Sequence, residues 1–159
     1  MHIELDPPRG VPPLLIGGAL EEAVVAGAAW GEVTVSRGLD DAPSVLVHHP
    51  RIEIVAHIED GGGVTAIEVG RPDPPRGRDG PRIAVTFHGV DVFATPARQV
   101  LAQLAERGHA LTGEAGTHPA APGLTLGFTR EPSDEGDQDT DGLPLHFDAV
   151  LVAPPGYYG

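Results

Sequence analysis

The segment DQDTDG, Asp137–Gly142, combines residue types and spacings that could bind a metal ion. Three aspartates alternate along it before a glycine, which is typical of the first half of a calcium-binding loop. In such a loop the carboxylates at positions 1, 3 and 5 converge on one ion, and a further carboxylate at position 12 completes the site. The pattern therefore predicts a calcium site, and calcium is the only cofactor it suggests. The predicted ligands are Asp137, Asp139, Asp141 and Asp148.

The surrounding sequence favours a second interpretation of this loop. The flanking segments look like strands rather than the helices of an EF-hand, and Asp148 has a shorter reach than the glutamate usual at position 12. The loop 131–142 also carries six acidic residues, a density that resists burial. A plain acidic connection between two strands is therefore the alternative to calcium binding.

Histidines are the next residues that could bind a metal, since the chain has eight. His48 and His49 are adjacent, so on a strand they point to opposite faces and cannot chelate one ion together. His57 lies on the same face as Glu53 and Glu59, which could form a surface site for a divalent cation. Solvent-facing polar residues on a strand are the favoured explanation of this pattern. The opposite face of this predicted strand is apolar and consists of Ile52, Ile54, Ala56 and Ile58, which predicts that they are buried.

Groups that could carry catalysis are scarce. His88 and Asp91 could form an acid–base pair, but no nucleophile accompanies them. The chain has no cysteine, all ten basic side chains are arginine, and none of its three serines lies in a Gly-x-Ser-x-Gly motif. We therefore expect a protein without enzymatic activity.

The formal net charge of −13 argues against binding to nucleic acid or to an anionic membrane. It favours a protein partner with a basic surface. Tyr157 and Tyr158 are the only tyrosines, and tyrosine is enriched at interfaces, so both are candidate partner contacts. No apolar stretch reaches the roughly 18 residues that cross a bilayer. A cytoplasmic protein is expected, although a removed signal peptide would leave no trace.

Two parts of the chain have a similar pattern of predicted elements, which indicates an α+β fold. In each part a short helix precedes three antiparallel strands, and the two sets of strands could form one continuous sheet. The first helix is apolar nearly all round, which predicts burial; the second has a single stripe formed by Ala97, Val100, Leu101 and Leu104. The predicted units are residues 1–70 and 83–159, separated by a Pro/Gly/Arg-rich linker at 71–82.

The first helix also carries a family resemblance. The segment GALEEAVVAGAAWG, Gly18–Gly31, resembles the Gly-Met-Thr-x-Glu-x-Val motif of the helix-plus-sheet modules of the BamE family, with Ala19 and Leu20 in place of Met and Thr. Tandem modules of this kind form the β-lactamase inhibitory proteins. The resemblance implies an inhibitor-like or immunity-like module that binds protein through a sheet face. A calcium-dependent binding module that uses the Asp137–Asp148 loop is the alternative function.

Overall fold

The computed structural model describes residues 1–37, 42–59, 62–73, 82–114, 116–132 and 136–157. Most of the predicted linker lies outside these ranges. The described residues form twelve strands and two α-helices. The elements are β1 (His2–Glu4), β2 (Gly10–Val11), β3 (Leu14–Leu15), α1 (Leu20–Gly27), β4 (Glu32–Arg37), β5 (Pro43–His49), β6 (Ile52–Ile58), β7 (Val64–Gly70), β8 (Ala84–Phe87), β9 (Val90–Asp91), α2 (Ala97–Glu106), β10 (Ala120–Ala121), a 3-10 helix (Pro122–Leu124), β11 (Leu126–Thr129) and β12 (Ala149–Val152).

Seven strands form one antiparallel sheet in the order β10-β11-β12-β7-β6-β5-β4. Strands β4 to β7 follow one another as a meander, whereas β12 enters between β11 and β7, where Ala149 lies opposite Gly70. Two smaller sheets accompany it: β1 pairs in parallel with β8, which also pairs with β9, and β2 forms a hairpin with β3.

One face of the large sheet forms the core. Residues at alternate positions of a strand point to the same face, and on β6 the predicted apolar set is at most 5% exposed. That prediction is confirmed for Ile52, Ile54, Ala56 and Ile58. Both helices pack on this face. Gly27 of α1 is so close to the sheet that a Cβ there would lie 2.8 Å from Cγ2 of Val47, and the apolar stripe of α2 belongs to the same buried cluster as Phe128.

The second helix agrees with its sequence pattern. Ala97, Val100, Leu101 and Leu104 are all buried, as predicted. The helix ends at Glu106, and Gly108 has φ of +89°, a conformation that favours glycine.

The prediction that the first helix is buried is wrong. Only Ala23 and Gly27 of α1 are buried, and Val25 is 75% exposed. The helix contacts strands β3, β4 and β5, and within the described part of the chain only the side that faces these strands is covered. Its apolar outer side reflects the richness of the segment in alanine and valine rather than burial.

The predicted α+β fold of two similar helix-plus-sheet units is also wrong. The described residues are mostly sheet, and the strands that follow α2 do not match those that follow α1. Strands β4 to β7 have six or seven residues each, whereas β10 has two and β11 and β12 have four each. Between α2 and β10, Thr112 contributes only an isolated bridge with Ala120. Strands this short are not stable as a separate sheet, and they extend the sheet already formed by β4 to β7.

A close backbone contact anchors the segment before α1 to the start of β7. The N–H of Gly17 donates to the carbonyl of Val64 at 2.8 Å, and the N–H of Val64 donates to the carbonyl of Gly18 at 2.9 Å. A Cβ on Gly63 would lie 2.4 Å from the carbonyl oxygen of Gly17. Only glycine fits at position 63, because the atoms it approaches belong to the backbone.

Candidate functional site

The acidic loop is held against α2 and the end of β11 by two arginines. The carboxylate of Asp139 accepts hydrogen bonds from Nε of Arg98 at 3.1 Å and from Nη1 of Arg130 at 2.9 Å. The same Arg98 also contacts the carboxylate of Asp141. The side chains of Asp139 and Arg130 are 5% and 1% exposed. The centre of the loop is therefore a packed ion-pair cluster.

Asp139 also organises the turn in which it lies. Its Oδ1 accepts the N–H of Asp141 at 2.8 Å and the N–H of Leu143 at 3.1 Å. Burial raises the pKa of Asp139, but the hydrogen bonds from these two N–H groups and from Arg98 and Arg130 outweigh it and lower the pKa from 3.8 to about 2. This carboxylate is therefore ionised at every ordinary pH.

The other two predicted calcium ligands have different neighbours. Asp137 and Asp148 line a cavity of about 550 Å³ together with Arg71 and His146. Asp148 accepts the N–H of Glu131 at 2.8 Å, and its other carboxylate oxygen lies 3.8 Å from Arg71.

Within the described ranges, no three His, Asp or Glu side chains are grouped so that they could hold a metal ion. The carboxylate of Asp139 is directed at arginines, so the loop as it stands does not present its four aspartates to one point. The calcium site stays a prediction.

The adjacent histidines of β5, which were not expected to chelate one ion together, have local partners. Nε2 of His48 lies 2.8 Å from Oγ1 of Thr34, and Nδ1 of His49 accepts the N–H of Arg51 at 3.1 Å. Their different neighbours agree with the expectation that they point to opposite faces of β5.

The proposed acid–base pair has partners of its own. The ring of His88 packs edge-on against Phe87, at 4.3 Å between centroids. Asp91 uses Oδ1 to accept the N–H groups of Phe93 and Ala94, both at 3.0 Å. Asp91 therefore stabilises the loop before α2.

The outer face of the large sheet is a further candidate surface. We call it the open face, because both helices pack on the other side. Its central row runs across four neighbouring strands in register, from Leu46 through Val55 and Glu68 to Leu151. The apolar members of this row are half-buried and Glu68 is exposed. The open face also contains Glu32, Thr34, His48, Glu53 and His57, all exposed.

The charges on the open face have one sign at neutral pH. Glu32, Glu53 and Glu68 lie on three different strands, and no outward-facing position of β4 to β7 or β12 is occupied by arginine. The face thus combines a half-buried apolar row with exposed carboxylates. This combination suits a partner that brings apolar side chains surrounded by basic ones.

The sequence pattern identifies only part of these surfaces. It placed Glu53 and His57 on the solvent side of β6 but did not connect them with the neighbouring strands, because the register between strands is not visible in one sequence. It did not single out Arg98 and Arg130 either. The available signal was their position, since Arg98 lies in the first turn of the predicted α2 and Arg130 ends the segment LTLGFTR next to the acidic loop.

Of the two candidate tyrosines, Tyr157 is 52% exposed, and Tyr158 lies outside the described residues. Among the described residues, no helix has the length and apolar character needed to cross a lipid bilayer. Comparisons with protein-family models, curated proteins and solved structures found no match. The resemblance to BamE-type modules stays a prediction.

Proposed function

We propose that this protein is a non-enzymatic binding module that recognises a basic protein surface through its open face. The observation that supports the proposal best is the row Leu46–Val55–Glu68–Leu151, which crosses four paired strands on the side of the sheet away from both helices. A sheet face whose apolar residues are left half-buried is a common form of interaction surface.

The electrostatics support a basic partner in particular. The net charge is −13, and the open face contributes three of the carboxylates, with no arginine at the outward-facing positions of the strands that the structure describes. Complementary charge steers association and selects partners more than it adds affinity. Leu46, Val55 and Leu151 would supply the apolar contact area, and the glutamates around them would select for lysine and arginine.

The absence of lysine from this chain makes a clean test possible. A carbodiimide joins carboxylates to amines, so apart from the N-terminal amine every cross-link from this chain to an amine must be to another molecule. The protein is incubated with a cell extract, cross-linked and digested, and the linked lysine peptides are identified by mass spectrometry. We expect the links to concentrate on Glu32, Glu53 and Glu68.

The partner identified in this way is then purified and titrated against two matched variants. Glu53→Arg with Glu68→Arg changes the open face, and Glu106→Arg with Glu114→Arg makes the same change in net charge at exposed positions elsewhere. We expect the face variant to weaken binding at least about tenfold and the control to retain it. Equal weakening by both variants would show a general charge effect and would reject the open face as the binding site.

A further inference from the structure

Two side chains of β1 meet a hydroxyl of β8 on the outer face of the three-stranded sheet. His2 and Glu4 are two residues apart, so they point to the same face of the strand. Thr86 lies opposite Glu4 in the parallel pairing of β1 with β8, and it therefore shares that face. The side chains of His2 and Glu4 are 62% and 52% exposed, and Thr86 is half-buried. Three groups that can donate electron pairs to a cation thus lie together at the surface.

The opposite face of the same two strands holds the backbone beneath these groups. Ile3, Leu5, Val85 and Phe87 are at most 6% exposed and belong to the core cluster. The N–H of Leu5 also donates to the carbonyl of Thr86 at 2.8 Å, which continues the pairing of the strands. Because the backbone is fixed from its buried side, the three outer groups are held near one another before any ion binds.

The distances between the three groups suit a single metal ion. Nε2 of His2 lies 2.6 Å from Oγ1 of Thr86, and that hydroxyl donates to Oε2 of Glu4 at 2.5 Å. Nε2 of His2 and Oε2 of Glu4 are 3.6 Å apart. Two donors on a tetrahedral zinc ion, each about 2.0–2.1 Å from the metal, are separated by about 3.4 Å. The imidazole and the carboxylate are therefore spaced as two ligands of one zinc ion.

The carboxylate of Glu4 differs from other carboxylates of the chain in its neighbours. In the part of the chain that the structure describes, His2 is the one basic group that pairs with it. The carboxylate of Asp139, by comparison, is bound by two arginines. Asp91 lies opposite Thr86 on β9, but its Oδ1 accepts two backbone N–H groups. The cluster therefore offers one imidazole and one carboxylate to an ion, and the hydroxyl is its third protein donor.

We propose that His2, Glu4 and Thr86 form a zinc site that links β1 to β8. Imidazole together with carboxylate suits zinc, whereas calcium requires six to eight oxygen ligands. Binding would replace the two hydrogen bonds of the Thr86 hydroxyl with bonds to the metal, and water would complete the coordination at this exposed place. His2 and Thr86 are 84 positions apart in the sequence, so the complete site exists only in the folded chain and zinc should stabilise that state. The site uses no residue of the open face and is independent of the proposed function.

Zinc titration of the full chain without a purification tag tests the proposal. Calorimetry and thermal unfolding are the readouts, and magnesium is the control ion. We expect saturable zinc binding with a Kd of about 0.1 mM or tighter. At about ten times the Kd, zinc should raise the melting temperature by about 3–6 °C. A wild-type chain that binds no zinc at concentrations up to about 1 mM would overturn the proposal.

Three variants locate the bound ion. Glu4→Gln keeps an acceptor for the Thr86 hydroxyl but removes the charged donor, and Thr86→Val removes the hydroxyl but keeps a residue that favours strands. His118→Gln is the matched control, because Nδ1 of His118 also lies 2.8 Å from a threonine hydroxyl, and no described carboxylate pairs with this histidine.

We expect Glu4→Gln to abolish zinc binding, Thr86→Val to weaken it several-fold and His118→Gln to leave it unchanged. Thermal unfolding without zinc shows whether each variant is folded. Zinc binding that survives Glu4→Gln with the affinity of wild type, or that is lost in His118→Gln, would place the ion elsewhere and reject the proposal. Unchanged affinity in Thr86→Val would reject the hydroxyl as a donor and with it the link between the two strands.

Discussion

Arg130 and Asp139 form an ion pair of 2.9 Å between two side chains that are 1% and 5% exposed. Arg130 ends the segment that contains β11, and Asp139 lies in the turn that follows, so the pair fixes the acidic loop to the sheet. The guanidinium also lies 6.0 Å from the ring centroid of Phe147, which is stacked on Phe128 at 4.6 Å. The ion pair and the two stacked aromatic rings are therefore next to each other in the core.

Substitution of Arg130 should destabilise the protein far more than substitution of Arg98. Arg130→Met leaves the largely buried carboxylate of Asp139 without its buried partner, and we expect a loss of about 3 kcal/mol in the free energy of unfolding, measured by denaturant titration. Arg98 contacts the same carboxylate, but its side chain is 50% exposed, so Arg98→Met should cost much less. Equal losses would show that burial does not set the strength of these contacts.

The stability of the protein should depend on pH in the acidic range through Asp139. Its pKa is about 2 in the folded protein, compared with 3.8 ordinarily. The stabilisation is therefore fully present above about pH 4 and is lost as the pH falls towards about 2. Denaturant titrations at several pH values should give a higher free energy of unfolding for wild type than for Asp139→Asn above this pH range. The difference in free energy between the two proteins should decrease as the pH falls through the range. A difference that is constant with pH would contradict this assignment.

Calcium binding by the acidic loop would compete with its arginines. Asp139 would have to exchange Arg98 and Arg130 for the ion, so we expect calorimetry on the metal-stripped protein to detect no saturable calcium binding tighter than about 100 μM. Magnesium serves as the control ion. Tighter binding of calcium that is abolished by Asp139→Ala would instead establish the site predicted from the sequence and would favour the calcium-dependent module.

The contact between Gly63 and the segment before α1 should not tolerate a side chain. A Cβ at this position would lie 2.4 Å from the Gly17 carbonyl oxygen, so Gly63→Ala must displace backbone and should cost roughly 1–3 kcal/mol. The neighbouring Gly62→Ala is the matched control, because its nearest contact would be 3.7 Å. Thermal unfolding of the two variants compares them directly, and similar melting temperatures would disprove the close contact.

The sequence allowed prediction of those elements whose periodicity reflects burial. The apolar stripe of α2 and the alternation along β6 are buried where the pattern placed them. The pattern failed for α1, because a segment rich in alanine and valine is apolar on every side whether or not it is covered. Local periodicity also says nothing about which strands are neighbours, so the pairing of β12 with β7 and the row across the open face were not predicted.

For the candidate sites, too, the contacts between residues that are distant in sequence were not predicted. The spacing of the aspartates in DQDTDG predicts a calcium loop, and it does not predict that Asp139 accepts two backbone N–H groups within its own turn. What that turn contacts depends on Arg98 and Arg130, which are 41 and 9 residues away along the chain. Charges that are distant in sequence become neighbours only through the fold.

The position of β12 between β11 and β7 has a consequence for the order of folding. Strands β4 to β7 form a meander of consecutive hairpins and can assemble as soon as they have been synthesised. The strand that covers β7 appears only after β8, α2 and β11 have been made. Until then the edge of β7 stays open inside the growing sheet, and its closure requires contact between residues as distant as Gly70 and Ala149. Such non-local pairing is slow, so the sheet should be completed late, when β12 inserts between β7 and β11.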